Sequence, residues 1–243
     1  MENKYFEIVK ENNLYTSHKR LKYYLETILF KDVDFASKTM LDVGGGNGLF
    51  SYYGALKGAK KIVVMEPEMD GSTAGFGDEF NEMHTLFNKP DNIEFSGEFL
   101  QSYDNKGVKF DIVLMHNSIN HLDEDACEAL PDDQNARTKY INVLNDLVNI
   151  CNENATIIVT DVSRYNFFEK INVTNPLVPT IEWQKHNDPE VWIELLSKAG
   201  FRKPIVRWLS LNAWGPLGNA VFGNKVLSYF FHSYFYLKMQ LSK

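Results

Sequence analysis

The apolar positions of this chain fall in short β-rich runs that alternate with stretches of helical spacing, an order that predicts a parallel sheet joined by crossover helices. Leu21, Tyr24, Leu25 and Ile28 recur at helical intervals and predict an N-terminal helix over Leu14–Phe30. The apolar runs in Ile62–Met65 and Asp111–Met115 suit strands covered on both faces. Further strands are expected at Thr39–Val43, Asn92–Phe95, Thr156–Thr160 and Ile205–Leu209, with helices over Asn47–Lys57, Asp70–Phe87 and Ala136–Cys151. A strongly signalled helix precedes the sixth strand: Asp188 stands at an N-cap position, Pro189 at the first helical residue, and Gly200 where a left-handed terminator belongs. Leu217–Phe231 reads as helix, whereas Tyr234–Leu241 alternates, with Phe235, Leu237, Met239 and Leu241 on one side. That period of two predicts a last strand, antiparallel to the sixth. Residues 161–187 form a long connection, and loops of such length usually cover a site. The expectation is one domain over 1–243, with an N-terminal helix over 14–30 and a lid-like insertion over 161–187.

Composition narrows the function classes. The 243 residues suffice for one α/β domain and are short for two of ordinary size. With a formal charge of −7 and scattered lysines and arginines there is no basic face, so a nucleic-acid partner is not expected. No apolar run is long enough for a transmembrane segment, and Met1–Lys10 lacks the apolar core of a signal peptide. Cys127 and Cys151 are too few for a disulfide framework, which points to reduced thiols in a cytoplasmic protein. The aromatic stretch Val226–Leu237 has only Lys225 and Lys238 beside it, a poor cationic face for a membrane surface. Packing in the core or in a homodimer suits it better.

The chemistry concentrates at Met40-Leu-Asp-Val-Gly-Gly-Gly-Asn-Gly48, a strand ending in Asp42, then Gly44, Gly45, Gly46 and Gly48, then a helix. Glycines serve where backbone must lie against a ligand, and the helix N-terminus behind them favours a carboxylate or a phosphate. A dinucleotide site and an S-adenosyl-L-methionine (SAM) site both use such a turn. The dinucleotide pattern G-x-G-x-x-G/A fails here, since its third position falls on Leu49 or Ser51. Glu66, at the tip of the second strand, can accept both hydroxyls of a ribose. The turn resembles D-x-G-x-G-x-G, the first motif of class I SAM-dependent methyltransferases.

That resemblance implies a Rossmann-like α/β fold with a seven-stranded, mostly parallel sheet of order 3-2-1-4-5-7-6 and helices on both faces. It implies SAM as cofactor and S-adenosyl-L-homocysteine (SAH) as product. It puts Glu66 and Pro67 beside the ribose and Glu98 and Phe99 beside the adenine. His116 and Asn117 follow the fourth strand, and Asn120-His121-Leu122 is similar to the family's continuation of that strand. The run Glu182–Trp192 resembles a segment of bacterial small-molecule and glycan-modifying methyltransferases.

A small polar acceptor, a sugar or glycan precursor among the choices, would meet the rim beyond the strand ends. An oxygen acceptor must lose a proton, so a base is expected: His186 first, then His121; Asp161, after the fifth strand, is a further catalytic candidate. Nitrogen is the second choice of acceptor atom. Arg164, Tyr165, Glu182 and Trp183 are candidate substrate contacts, and Tyr5, Phe6 and Tyr15 also bring aromatic groups to the rim. His116, His121, Asp123 and Asp125 do not make a convincing metal set, because Asp123-Glu-Asp125 suits a solvated helix start better. Two rivals stay open, an NAD-linked oxidoreductase and a non-catalytic SAM-binding protein.

Overall fold

The computed structural model describes residues 2–67 and 75–242, with side chains of 2 and 3 left aside. Its strands are β1 (Thr39–Val43), β2 (Lys61–Met65), β3 (Ile93–Ser96), β4 (Phe110–His116), β5 (Cys151–Val162), β6 (Phe201–Trp208) and β7 (Tyr234–Leu241). They form a sheet of order β3-β2-β1-β4-β5-β7-β6, the expected one. Contacts divide the chain into two compact units, one of Met1–His116 with Ile150–Ala155, the other of Asn117–Asn149 with Thr156–Lys243. Among the described residues no helix is long and apolar enough to cross a membrane.

In the first unit β1 lies parallel to β2, Thr39 opposite Lys61 through Val43 opposite Met65, and parallel to β4 on its other side. Met40, Leu41, Val63, Val64 and Met65 are fully buried, as a strand covered on both faces requires. The helices of this unit are α1 (Glu2–Glu11), α2 (His18–Tyr23), α3 (Leu49–Leu56) and α4 (Phe76–Leu86). The helix expected over Leu14–Phe30 starts at His18, because the Ser17 side chain accepts from Arg20 N–H and closes that end; it continues as a π-helix over Tyr24–Leu29. Of the helix expected over Asp70–Phe87, the part before Gly75 lies outside the described residues. Helix α1 was not expected. Its stripe Tyr5, Phe6, Ile8 and Val9 is buried, and Tyr5 Oη donates to Leu49 O at 2.9 Å. Tyr5 and Phe6 are therefore core residues rather than rim aromatics: Tyr5 stacks on Phe87, and Phe87 on Tyr52.

The second unit is built on the antiparallel trio β5, β7 and β6, with Thr156 opposite Gln240 and Phe201 opposite Leu241. Around it stand α5 (Glu124–Ala129), α6 (Gln134–Asn149), α7 (Phe167–Lys170), α8 (Pro189–Lys198), α9 (Gly215–Phe222) and α10 (Lys225–Phe231). The alternation read in Tyr234–Leu241 is β7, whose Phe235, Leu237, Met239 and Leu241 are buried with Tyr236. The helix expected over Leu217–Phe231 is two helices, because Asn224 caps α10 by accepting from Leu227 N–H. Cys151, expected at a helix end, opens β5. β6 begins four residues earlier than expected and carries an irregularity between Arg202 and Ile205, where Lys203 has φ +56° and Pro204 follows.

Gly54 in α3 tests how tightly the first unit is packed. A Cβ there would lie 2.9 Å from Phe35 Cε1 and 3.1 Å from Ile62 Cδ1. Alanine adds about 1 kcal/mol of helix propensity, while overpacking costs about 1–3 kcal/mol. We expect Gly54→Ala to lower stability by about 1 kcal/mol, read as a lower denaturant midpoint at unchanged slope. A higher midpoint would show that Phe35 yields freely.

Candidate active site

The turn from β1 to α3 is held from two directions. Gly44 and Gly45 N–H both donate to Met65 O, at 2.8 and 3.3 Å, and Gly48 N–H donates to Gly45 O at 2.9 Å. Gly46 N–H donates to Glu66 Oε2 at 2.8 Å. Gly46 and Gly48 have φ of +53° and +79°, values a side chain disfavours. Gly45 is required for a different reason. A Cβ there would stand 2.8 Å from both Asp42 Oδ2 and Val64 Cγ1.

Asp42 lies under this turn at 1% exposure. Its Oδ2 accepts from Ser51 Oγ at 2.6 Å, and its Oδ1 has no partner among the described residues. Burial is the main cause that lifts its pKa to about 7; the Ser51 hydrogen bond opposes the rise and the charge of Glu66 adds to it. The turn opens on a cavity of about 230 Å³ lined by Asp42, Gly44, Gly45, Gly46, Asn47, Leu49, Phe50, Phe76 and His116. His116 ends β4, with Phe50 4.7 Å away, centroid to centroid, and its Nε2 shares a 2.9 Å hydrogen bond with Tyr24 Oη. Burial pushes its pKa down to about 4, so the ring is neutral at ordinary pH.

The remaining cofactor candidates are less gathered. Pro67 follows Glu66 directly. Glu98 is exposed, its Oε2 3.4 Å from Asp104 N–H, and it lines a separate crevice with Lys61, Glu94, Tyr103 and Lys106. Phe99 is half exposed at the surface. Asn117 has φ +55° and donates its N–H to Thr160 O at 2.8 Å.

In the second unit β5 delivers Asp161, buried to 1% exposure. Its Oδ1 accepts from His186 Nδ1 at 2.8 Å and from Val162 N–H at 2.8 Å, while Oδ2 has no partner among the described residues. A carboxylate on Nδ1 fixes the proton there and leaves Nε2 as the basic nitrogen. Asp161 and His186 were expected separately, and the fold joins them. The backbone around His186 is held as well: Arg164 Nε donates to His186 O at 2.9 Å, and Arg164 Nη2 donates to Glu128 O and Gln184 O. Cys127 Sγ lies 3.3 Å from Lys185 O, and Asn187 Nδ2 donates to Cys127 O at 2.8 Å. Burial pushes the Cys127 thiol up to about 12, so it stays protonated.

Other expected residues are placed differently. Arg164, expected to meet an anionic substrate group, is engaged by main-chain carbonyls. Trp183 is a core residue; Glu182 is exposed and pairs with Lys185 at 2.9 Å; Tyr165 stands 70% exposed. His121 is exposed with Nδ1 2.7 Å from Glu124 Oε1. Asp123 caps α5, accepting from Ala126 N–H at 3.0 Å, as its sequence position suggested. Asp188 occupies the N-cap position of α8 but turns its carboxylate to Ser163 Oγ. Sequence reasoning missed Phe50, Phe76, Tyr24 and Asn187. Phe50 could have been found, since the first helical turn after the glycines faces the same space; Tyr24 was read only as part of an apolar stripe.

No family model matches the chain. Among curated relatives, a segment of 62 residues is 32% identical to the histone-arginine methyltransferase CARMER of Drosophila ananassae, covering 26% of this chain and 12% of that protein, about an eighth of its length. Whole-chain likeness is to solved structures. A putative sarcosine dimethylglycine methyltransferase of Galdieria sulphuraria aligns with TM-score 0.61 at 12% identity, covering 93% of this chain and 87% of its own. A SAM dependent methyltransferase of Aquifex aeolicus gives 0.59 at 15% identity, covering 96% and 98%. The cyclase SpnF gives 0.60 at 13% identity, covering 93% and 82%. The chain thus has the class I SAM-dependent methyltransferase fold. The presence of a cyclase among its likenesses shows that this fold alone does not name a reaction.

The buried Asp42 carboxyl generates a prediction independent of any ligand. Its pKa is about 7 in the folded protein and 3.8 as its ordinary value, so the folded state holds the extra proton between those limits. Stability is therefore lost as pH rises from about 4 to about 7, on the order of 4 kcal/mol at 1.36 kcal/mol per unit. Asp42→Asn removes the group. Its stability relative to the parent is expected to climb across that interval and level off above it, measured by denaturant unfolding at stepped pH. A difference independent of pH would mean that the carboxyl is not desolvated.

Proposed function

We propose that this protein transfers the methyl group of SAM to a hydroxyl of a small polar acceptor, with His186 as the proton acceptor. The observation that carries the cofactor half is the glycine turn, whose backbone rests on the Asp42 carboxyl, with its unpaired Oδ1, where no Cβ fits. A polar cradle closed to side chains and left with an unpaired buried oxygen suits a polar ligand. Gly44–Gly48 and His116 would hold the amino-acid end of SAM, and Glu66, already fixed by Gly46 N–H, would accept from the ribose. Pro67, Glu98, Phe99 and Asn117 complete the cofactor reading from the family resemblance. Bound SAM supplies a methyl group on a sulfonium centre, open to in-line attack.

The chain's own contribution is proton handling and position. The acceptor hydroxyl would donate to His186 Nε2 as its oxygen attacks, and Asp161 would stabilise the imidazolium that forms. Neutral His116 adds no positive charge beside a cationic cofactor. Cys127 and Cys151 are free thiols, in keeping with a reducing cytoplasm. A neutral amine acceptor would need no such base, which is why the paired histidine favours oxygen.

Calorimetry on the full chain is expected to show binding of SAM and SAH and none of NAD. Glu66→Ala should weaken both by about 2 kcal/mol, since a charged acceptor is lost from two hydroxyls. Heat from NAD alone would end this reading, and parental affinity in the variant would remove Glu66 from the ribose.

Turnover is read as SAH release from SAM across a panel of hydroxylated and aminated metabolites. For any hydroxyl acceptor that responds, His186→Asn should cut the rate by roughly 10² to 10⁴, with SAM affinity unchanged. The deficit should narrow as pH rises, because hydroxide then shares the task. Parental turnover would show that another group takes the proton.

A further inference from the structure

We infer that Arg164 is a positioning residue for His186, and that its guanidinium, rather than binding substrate, fixes the backbone from which the imidazole is aimed. This rests on the reading of His186 as the proton acceptor. His186 follows a short 3-10 turn, Trp183–Lys185, and no strand or α-helix carries it. Among the described residues its ring has one hydrogen-bond partner, Asp161, through Nδ1. One hydrogen bond sets a ring's tilt but not the place of its backbone.

That place is set by side chains that receive three successive carbonyls. Gln184 O and His186 O accept from Arg164, and Lys185 O lies in reach of the Cys127 thiol. The same guanidinium also reaches Glu128 O at the end of α5, so it ties the histidine's segment to a helix. Arg164 stands three positions after Asp161, just past the end of β5. One stretch of chain thus grips His186 twice, by the ring through Asp161 and by the carbonyl through Arg164. Three of the five guanidinium N–H groups are used in this way, in a planar fork that a lysine's single ammonium cannot copy.

The test is the tautomer of His186, read by NMR of histidine-labelled full chain in the presence of SAH. The parent is expected to show one ring state, protonated at Nδ1. Arg164→Ala and Arg164→Lys should both lose that single state and exchange between tautomers, while SAH affinity and the indole signal of buried Trp183 stay unchanged. A variant that keeps the parent's single tautomer overturns the inference, and so does a loss of the Trp183 signal together with it, since that would be a merely structural role. Should neither variant fold, the parent decides: Arg164 Nε–H must exchange with water more slowly than the N–H groups of exposed arginines, and equal exchange overturns the inference. Failure of the parent to bind SAH would end the methyltransferase reading instead, and the tautomer would still judge Arg164.

Discussion

Backbone laid directly against a buried carboxyl is the constraint from which the first unit takes its form. Asp42 sits inside a parallel sheet, where ionising a carboxyl is costly, and among the described residues its side-chain donor is one hydroxyl, that of Ser51. The glycine turn can close over it only because Gly45 has no Cβ, and the turn is then pinned by Met65 O and by Glu66. β1, β2 and α3 all depend on that contact. A side chain at Gly45 would push the turn from Val64, and with it the two strand tips that frame the cavity. The unpaired Asp42 oxygen is the residue of this compromise, and a bound polar group would relieve it.

The second unit solves a different problem, that of holding a titratable ring on irregular chain. It does so by satisfying main-chain groups with side chains. Arg164, Cys127 and Asn187 each meet a carbonyl, and Asn175 does similar work where the segment passes the C-terminal helices, donating to Phe231 O. Buried backbone without a strand or helix must find its partners this way. Residues 161–187 are consequently a pinned strap along much of their length.

What could be read from the sequence was what is local. The glycine spacing, the apolar runs of β2 and β4 and the alternation of β7 are each set by neighbouring residues, and each was legible. Helix α1 was missed because its charges interrupt the stripe Tyr5, Phe6, Ile8 and Val9 when the chain is read linearly. The start of β6 was missed because Arg202-Lys203-Pro204 looks like loop. Asp161 and His186 were both recognisable as chemistry, yet 25 positions separate them, and no spacing rule reveals a contact made by the fold. Arg164 shows the limit most clearly. Its type says that it will donate, but not that carbonyls from α5 and from its own strap will accept.

The irregularity in β6 has a bearing on how the molecule behaves in company. β6 closes one end of the sheet, where a free row of N–H and C=O groups would invite a strand from another chain. Lys203 turns the backbone there, Pro204 offers no N–H, and Arg202 and Lys203 put like charges on the exposed side. With Ile205 and Val206 uncovered just beyond, a straight edge would be a template for aggregation. The kink breaks the straight row of N–H and C=O groups that an added strand would need at this edge.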